Sequence, residues 1–268
     1  MGKLQGVPDT LYIPLAARIY VSEHFPDFFY DEAALALKGD MPYDEIAKSQ
    51  SEYFAFAGAA RFTIVDQMIR DFMAQQGRCN VVNVGCGLET SYFRIKPAPD
   101  AAVFYEMDLP DVIEAREHAL GSAENDILVP GDMFDFAWAD CIDANLPTFI
   151  TVIGVFQYFD EARVLAFLQE AATRFPGAHV VFDAMTSKAI KYANDYIKKT
   201  GNADAPLGFF VDDAADLAAR AGVTLLEQRP FFTEARKLKG RLKLYTRIAM
   251  KVVDEGARRG FLVHLQLG

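Results

Sequence analysis

The stretch Val81-Val-Asn-Val-Gly-Cys-Gly-Leu-Glu-Thr-Ser-Tyr-Phe-Arg94 decides how this chain is read. Val81, Val82 and Val84 form an apolar, β-branched run, the composition of a buried strand. The run ends in Gly85-Cys86-Gly87, and a helix is expected to start over Thr90 to Arg94. Strand, glycine turn and helix in that order make a nucleotide-type α/β site. Glycine lets the backbone come close to a ligand, and a helix N-terminus offers N–H groups that the helix itself does not use. A dinucleotide fingerprint would place a third glycine at position 90, but threonine stands there, which disfavours a nicotinamide oxidoreductase.

Working outward, Ala102 to Asp108 is a second apolar run, and its terminal acid lies 21 residues after Gly87. That is where an acid at the tip of the next strand meets a ribose. Glycine on one strand tip and an acid on its neighbour suit a single adenosine with a small tail, which S-adenosylmethionine provides. The alternative is that the glycines serve only a tight turn and that Asp108 caps the helix after Pro110. After the third strand comes Gly131-Asp132-Met133. Asp132 would accept from an adenine amino group and Met133 would pack on the ring, against the plain reading of a turn aspartate.

Apolar runs then alternate with helical stretches. Strands are expected at 80–85, 102–108, 126–130, 148–156, 178–184, 223–229 and 261–267. Helices are expected at 109–121, 160–175, 186–200, 212–221 and 234–256. Alternation implies a mostly parallel sheet with helices on both faces. Residues 9–77 read as helices punctuated by Pro14, Pro26, Gly39-Asp40 and Pro42, a cap rich in aromatic side chains, most of them core and a few available to a substrate pocket. Phe62, Val65, Met68, Ile69 and Phe72 share one helical face, and Arg61 begins that stripe. The expected fold is α/β: a Rossmann-like, seven-stranded, mostly parallel sheet with a helical N-terminal cap. The expected organisation is a single domain over 1–268, with the cap at 1–77 and the core at 78–268.

Composition excludes other classes. A net charge of −10 argues against general nucleic-acid binding. There is no apolar run of membrane-spanning length and no signal-peptide pattern at the N-terminus. Cys79, Cys86 and Cys141 have neither disulfide nor zinc spacing, which suits a reducing cytoplasm. Cys86 reads as a small packing residue rather than a nucleophile, and His24 as a weak general-base candidate. The seven cations between Arg236 and Lys251, with no acid among them, read as the solvated face of a helix whose apolar face holds Leu238, Leu242, Tyr245, Ala249 and Val252. An acidic carrier protein is the second reading of that face.

With these residues in hand, the sequence resembles the leucine carboxyl methyltransferase family, in its bacterial branch of polyketide O-methyltransferases. The resemblance runs from Gly6-Val-Pro-Asp-Thr10 to the last strand. It is carried by Ala60-Arg61-Phe62 with Asp66, by Val82 to Thr90, and by Tyr105-Glu-Met-Asp-Leu-Pro110. Gly154-Val-Phe-Gln-Tyr158 and Phe182-Asp-Ala-Met185 add to these. It implies that Arg61 holds the carboxylate of S-adenosylmethionine, that Asp108 lies on the ribose and that Asp132-Met133 lies at the adenine. Ile153 stands where the family usually has glutamate, and Glu89 where it often has aspartate. The expected activity is methyl transfer to a carboxylate or phenol of a small acceptor, with Tyr20 and Tyr158 as contacts to that acceptor. Ile153 motivates the competing expectation of a non-catalytic cofactor-binding or regulatory protein.

Overall fold

The structure, a computed structural model, describes residues 9–200, 207–257 and 259–268. These fall into two compact units, one ending at Pro147 and the other spanning Thr148–Gly268. The Gly6-Val-Pro8 part of the family-like segment lies outside the described residues.

The first unit opens with α1 (Asp9–His24), α2 (Glu32–Ala36), α3 (Tyr43–Ser49) and α4 (Glu52–Gln76). Ser51 caps α4 by accepting from the Phe54 N–H at 3.2 Å, and Gly77 at φ +71° ends it. The expected stripe of Phe62, Val65, Met68, Ile69 and Phe72 is buried. α1 packs on α4 through small residues: a Cβ on Gly58 would stand 2.8 Å from the Ala17 Cβ. Phe25 and Phe28 meet Phe56 with ring centroids 4.9 and 5.5 Å apart; Phe25 and Phe56 are core, and Phe28 is partly buried at its edge.

The same unit continues with β1 (Cys79–Val84), α5 (Ser91–Ile95), β2 (Ala102–Asp108), α6 (Pro110–Leu120) and β3 (Asp126–Pro130). β1 and β2 pair in parallel, as do β2 and β3. Every residue of β1 is buried, the pattern of a strand covered on both faces.

The second unit holds β4 (Thr148–Val152), α7 (Glu161–Arg174), β5 (His179–Met185), α8 (Ser187–Thr200), α9 (Ala214–Ala221), β6 (Thr224–Pro230), α10 (Leu244–Glu255) and β7 (Gly260–Gln266). β4 and β5 are parallel, while β7 runs antiparallel to both β5 and β6. The strand order of the seven-stranded sheet is β3-β2-β1-β4-β5-β7-β6. Among the described residues, no helix is long and apolar enough to cross a membrane.

Two elements differ from expectation. The fourth strand stops at Val152 instead of running to 156, because Gly154 turns the chain at φ +77° and a 3₁₀ turn follows over Phe156–Tyr158. The helix expected over 234–256 is a 3₁₀ segment, Ala235–Arg241, followed by α10. Lys243, extended at ψ 147°, separates them and resets the helical phase. Of the expected apolar face, Leu242 is buried, Leu238 and Ala249 are partly buried, and Tyr245 and Val252 are not. α10 buries Thr246 and Met250 and leaves Tyr245 and Val252 about half exposed, alongside Leu244 and Ile248.

Candidate functional site

The glycine turn, the second strand tip and the third lie in the first unit, and Asp108 joins all three. Gly85 and Gly87 sit at φ +67° and +48°, conformations that glycine adopts without a Cβ clash. The Gly85 and Cys86 N–H groups both donate to the Met107 carbonyl, at 2.8 and 3.0 Å, folding the turn against the end of β2. The Gly87 N–H donates to Asp108 Oδ2 and the Leu109 N–H to Asp108 Oδ1, each at 2.8 Å. The Gly131 N–H donates to the Asp108 carbonyl at 2.9 Å, tying in the third loop. Burial pushes the Asp108 carboxyl up, against the pull of the Gly87 and Leu109 N–H groups. α6 carries no side-chain cap, so Asp108 is not the helix cap that the plain reading supposed.

The acceptors of Asp108 fit the ribose of an adenosine. An ionised carboxylate offers about four acceptor positions. The two backbone N–H groups take one on each oxygen of Asp108, and the residue is partly exposed, so it retains acceptors for a pair of ribose hydroxyls.

Asp132 is exposed and accepts the Phe134 N–H at 2.9 Å, which closes a short turn. Met133 is buried, and its carbonyl accepts from Trp138 Nε1 at 3.1 Å. Trp138 in turn stacks on Phe136 at 5.2 Å. Cys86 is buried and burial holds its thiol well above the ordinary range, so it packs rather than attacks.

Arg61 is partly buried on α4, where its Nε donates to the Ala57 carbonyl at 3.0 Å and its guanidinium lies 6.0 Å from the Phe62 ring centre. Tyr20 is half-buried on α1 and stacks on His24 at 4.3 Å. The Nδ1 of His24 is engaged with the Tyr20 carbonyl at 2.8 Å. Tyr158 and Ile153 belong to the second unit, where Tyr158 ends the 3₁₀ turn with half its surface exposed and Ile153 is partly buried. Among the described residues, no cluster of three or more His, Cys, Asp or Glu side chains is arranged to hold a metal ion.

Sequence reasoning missed the arginines that hold the turn. Arg18 on α1 donates to the Leu88 carbonyl at 2.6 Å and to Asp31 at 2.9 Å. Arg94 grips Asp66 of α4 with two bonds, at 2.7 and 2.8 Å, and reaches Glu89 at 2.6 Å. Arg116 on α6 donates to the Gly87 and Glu89 carbonyls, at 3.1 and 2.5 Å, and pairs with Glu106. All three guanidiniums are essentially buried. The only available sign was a cation within an apolar helical run, Arg18 among Leu15, Ala16, Ile19 and Val21. Burial alone would raise Asp31, but Arg18 and Arg94, with hydrogen bonds from Thr90 and Ala34, hold it below the usual carboxylate range.

A seven-stranded α/β sheet with an acid and a glycine turn at adjoining strand tips is a nucleotide-type architecture, and the family match given below makes it that of a methyltransferase of the S-adenosylmethionine-dependent class. Solved structures share the fold. A DUF574 family protein from Streptomyces avermitilis superposes with a TM-score of 0.60 at 17% identity, covering 94% of this chain and 97% of that one. Mycolic acid cyclopropane synthase, solved with SAH and CTAB, gives 0.54 at 14% identity, covering 97% and 99%. At these identities they establish the fold alone. The sequence profile of leucine carboxyl methyltransferase matches residues 11–172, and the chain belongs to that family. Tetracenomycin polyketide synthesis O-methyltransferase of Streptomyces glaucescens is 25% identical over 244 residues, covering 87% of this chain and 88% of that protein. The cofactor is S-adenosylmethionine, as the family identifies it.

Proposed function

We propose that the protein is an O-methyltransferase acting on a carboxylate or phenolic hydroxyl of a small, aromatic or polyketide-like acceptor. The observation that carries this reading is the similarity to the tetracenomycin O-methyltransferase along nearly the whole of both chains. When bound, S-adenosylmethionine supplies a methyl group made electrophilic by its sulfonium. The chain contributes binding and alignment. Asp108 would accept from the ribose hydroxyls, while Gly85 and Gly87 supply the left-handed backbone that shapes the loop beside it. Asp132 and Met133 would hold the adenine, and Arg61 the cofactor's carboxylate.

A carboxylate acceptor needs no base, whereas a phenol must lose its proton. With His24 Nδ1 tied to the Tyr20 carbonyl, only Nε2 of that ring could take one. Tyr20 and Tyr158 are the proposed contacts to the acceptor. Calorimetry with S-adenosylhomocysteine, followed by detection of that product across a panel of carboxylates and phenols, tests the proposal. Tight binding with no turnover on any acceptor would favour the non-catalytic reading that Ile153 motivates.

A further inference from the structure

Thr90 stands where a dinucleotide-binding chain would carry its third glycine, and the structure shows what the hydroxyl is for. It is fully buried. A hydroxyl has one proton to give and two lone pairs to offer, and Thr90 uses all of them. It donates to Asp31 Oδ2 at 2.5 Å, accepts from Arg94 Nη1 at 2.8 Å and accepts from Arg18 Nη1. Arg18 and Asp31 come from the cap, and the other amino group of Arg18 holds the Leu88 carbonyl. The carbonyls of Gly87, Leu88 and Glu89 therefore all face guanidiniums, the first and third that of Arg116 and the second that of Arg18. The cap also touches the turn directly: a Cβ on Gly87 would lie 2.9 Å from Leu11 Cδ2.

We infer that the Thr90–Asp31–Arg18 junction is the joint through which the N-terminal helices set the shape of the cofactor loop, making Thr90 and Arg18 positioning residues for cofactor binding. This rests on the reading of the Gly85–Gly87 turn as the S-adenosylmethionine loop. The Gly87 N–H donates to Asp108 from a loop whose next three carbonyls are held by two guanidiniums, that of Arg116 on α6 and that of Arg18 on α1. One of the two groups fixing the loop therefore belongs to the cap. A ligand that selects this loop geometry must also select the docked cap, and the coupling is reciprocal.

Thr90→Val removes the hydroxyl at constant shape, and Thr90→Ser restores it. Titration with S-adenosylhomocysteine should show Thr90→Ser near wild type and Thr90→Val weaker by about tenfold, the cost of leaving buried partners unsatisfied. In hydrogen–deuterium exchange, the ligand should slow exchange along α1 in the wild type and in Thr90→Ser but not in Thr90→Val. A merely structural junction would lower the melting temperature and leave the affinity of the folded protein unchanged, and that result overturns the inference. If Thr90→Val does not fold, Arg18→Lys takes its place. It keeps the charge beside Asp31 but cannot span to the Leu88 carbonyl, so the same loss is expected, and wild-type affinity would refute the joint. S-adenosylhomocysteine bound with no response in α1 overturns the coupling alone. A wild-type protein that does not bind it overturns the cofactor reading as well.

Discussion

Asp108 holds Gly87 by its backbone N–H across 21 residues, at 2.8 Å. Asp183 does the same to Gly154 across 29 residues, at 2.6 Å. In each unit, an acid in the C-terminal part of one parallel strand (Asp108 of β2, Asp183 of β5) fixes the glycine turn that follows its neighbour (β1, β4). Both glycines are in the left-handed region, at φ +48° and +77°, so the acid locks a conformation that glycine makes available.

Replacing Asp108 by alanine should weaken S-adenosylhomocysteine binding by about 1–3 kcal/mol, through loss of the ribose acceptor and of the Gly87 anchor. Asp108→Asn should lose less, because its amide oxygen can still accept one N–H. Calorimetry on the folded variants reads the order directly, and equal affinity in all three proteins would remove Asp108 from the site.

Arg61→Ala should cost roughly 2–5 kcal/mol of cofactor affinity by leaving a carboxylate unpaired in a partly desolvated site. Arg61→Lys should recover only part of it, since an ammonium lacks the planar fork. If Arg61 serves only its own helix through the Ala57 carbonyl, the same titration will show three equal affinities.

Gly58→Ala should destabilise the cap even though alanine favours helix. The propensity gain is about 1 kcal/mol, but the new Cβ would sit 2.8 Å from the Ala17 Cβ on a neighbouring helix, and overpacking of that kind costs about 1–3 kcal/mol. Thermal unfolding should show a lower midpoint; a raised midpoint would mean that α1 and α4 separate freely.

Stability should carry a pH signature from Glu106. Burial, against the pull of Arg116, pushes its carboxyl up to about 7 from 4.5. A raised acid binds its proton more tightly when folded, so its contribution is complete below pH 4.5 and is lost as pH climbs through 7. The full swing is about 3 kcal/mol. Asp126, pushed by burial to about 6, acts in the same direction. His264 opposes them: burial and the neighbouring His179 lower it to about 4, so its contribution holds above 6.5 and is lost as pH falls towards 4. The difference between wild type and Glu106→Gln isolates the first effect. From pH 5.5 to 7.5 the wild-type midpoint should fall relative to that of the variant; parallel curves would show that Glu106 does not titrate there.

The elements legible in the sequence were those governed by near neighbours. Val81 to Val84 had to be a buried strand, Gly85-Cys86-Gly87 a turn, and Asp108 the acid at the next strand tip, because a strand's period and a turn's backbone demands are written within a few residues. Where the outcome depended on one dihedral, reading failed locally. Gly154 cut the fourth strand short and Lys243 reset the phase of α10, so that Tyr245 and Val252 face outward. The arginine junction was beyond such reading altogether. Thr90 meets Asp31 from 59 positions away and Arg18 from 72. No periodicity links residues so far apart, and a buried charge declares its partners only once folding has removed water from around it. Sequence determined the sheet and the residues at its tips. Tertiary structure decided that the N-terminal helices reach into the glycine turn and hold it, because only there do three guanidiniums find the carboxylates and carbonyls that make their burial tolerable.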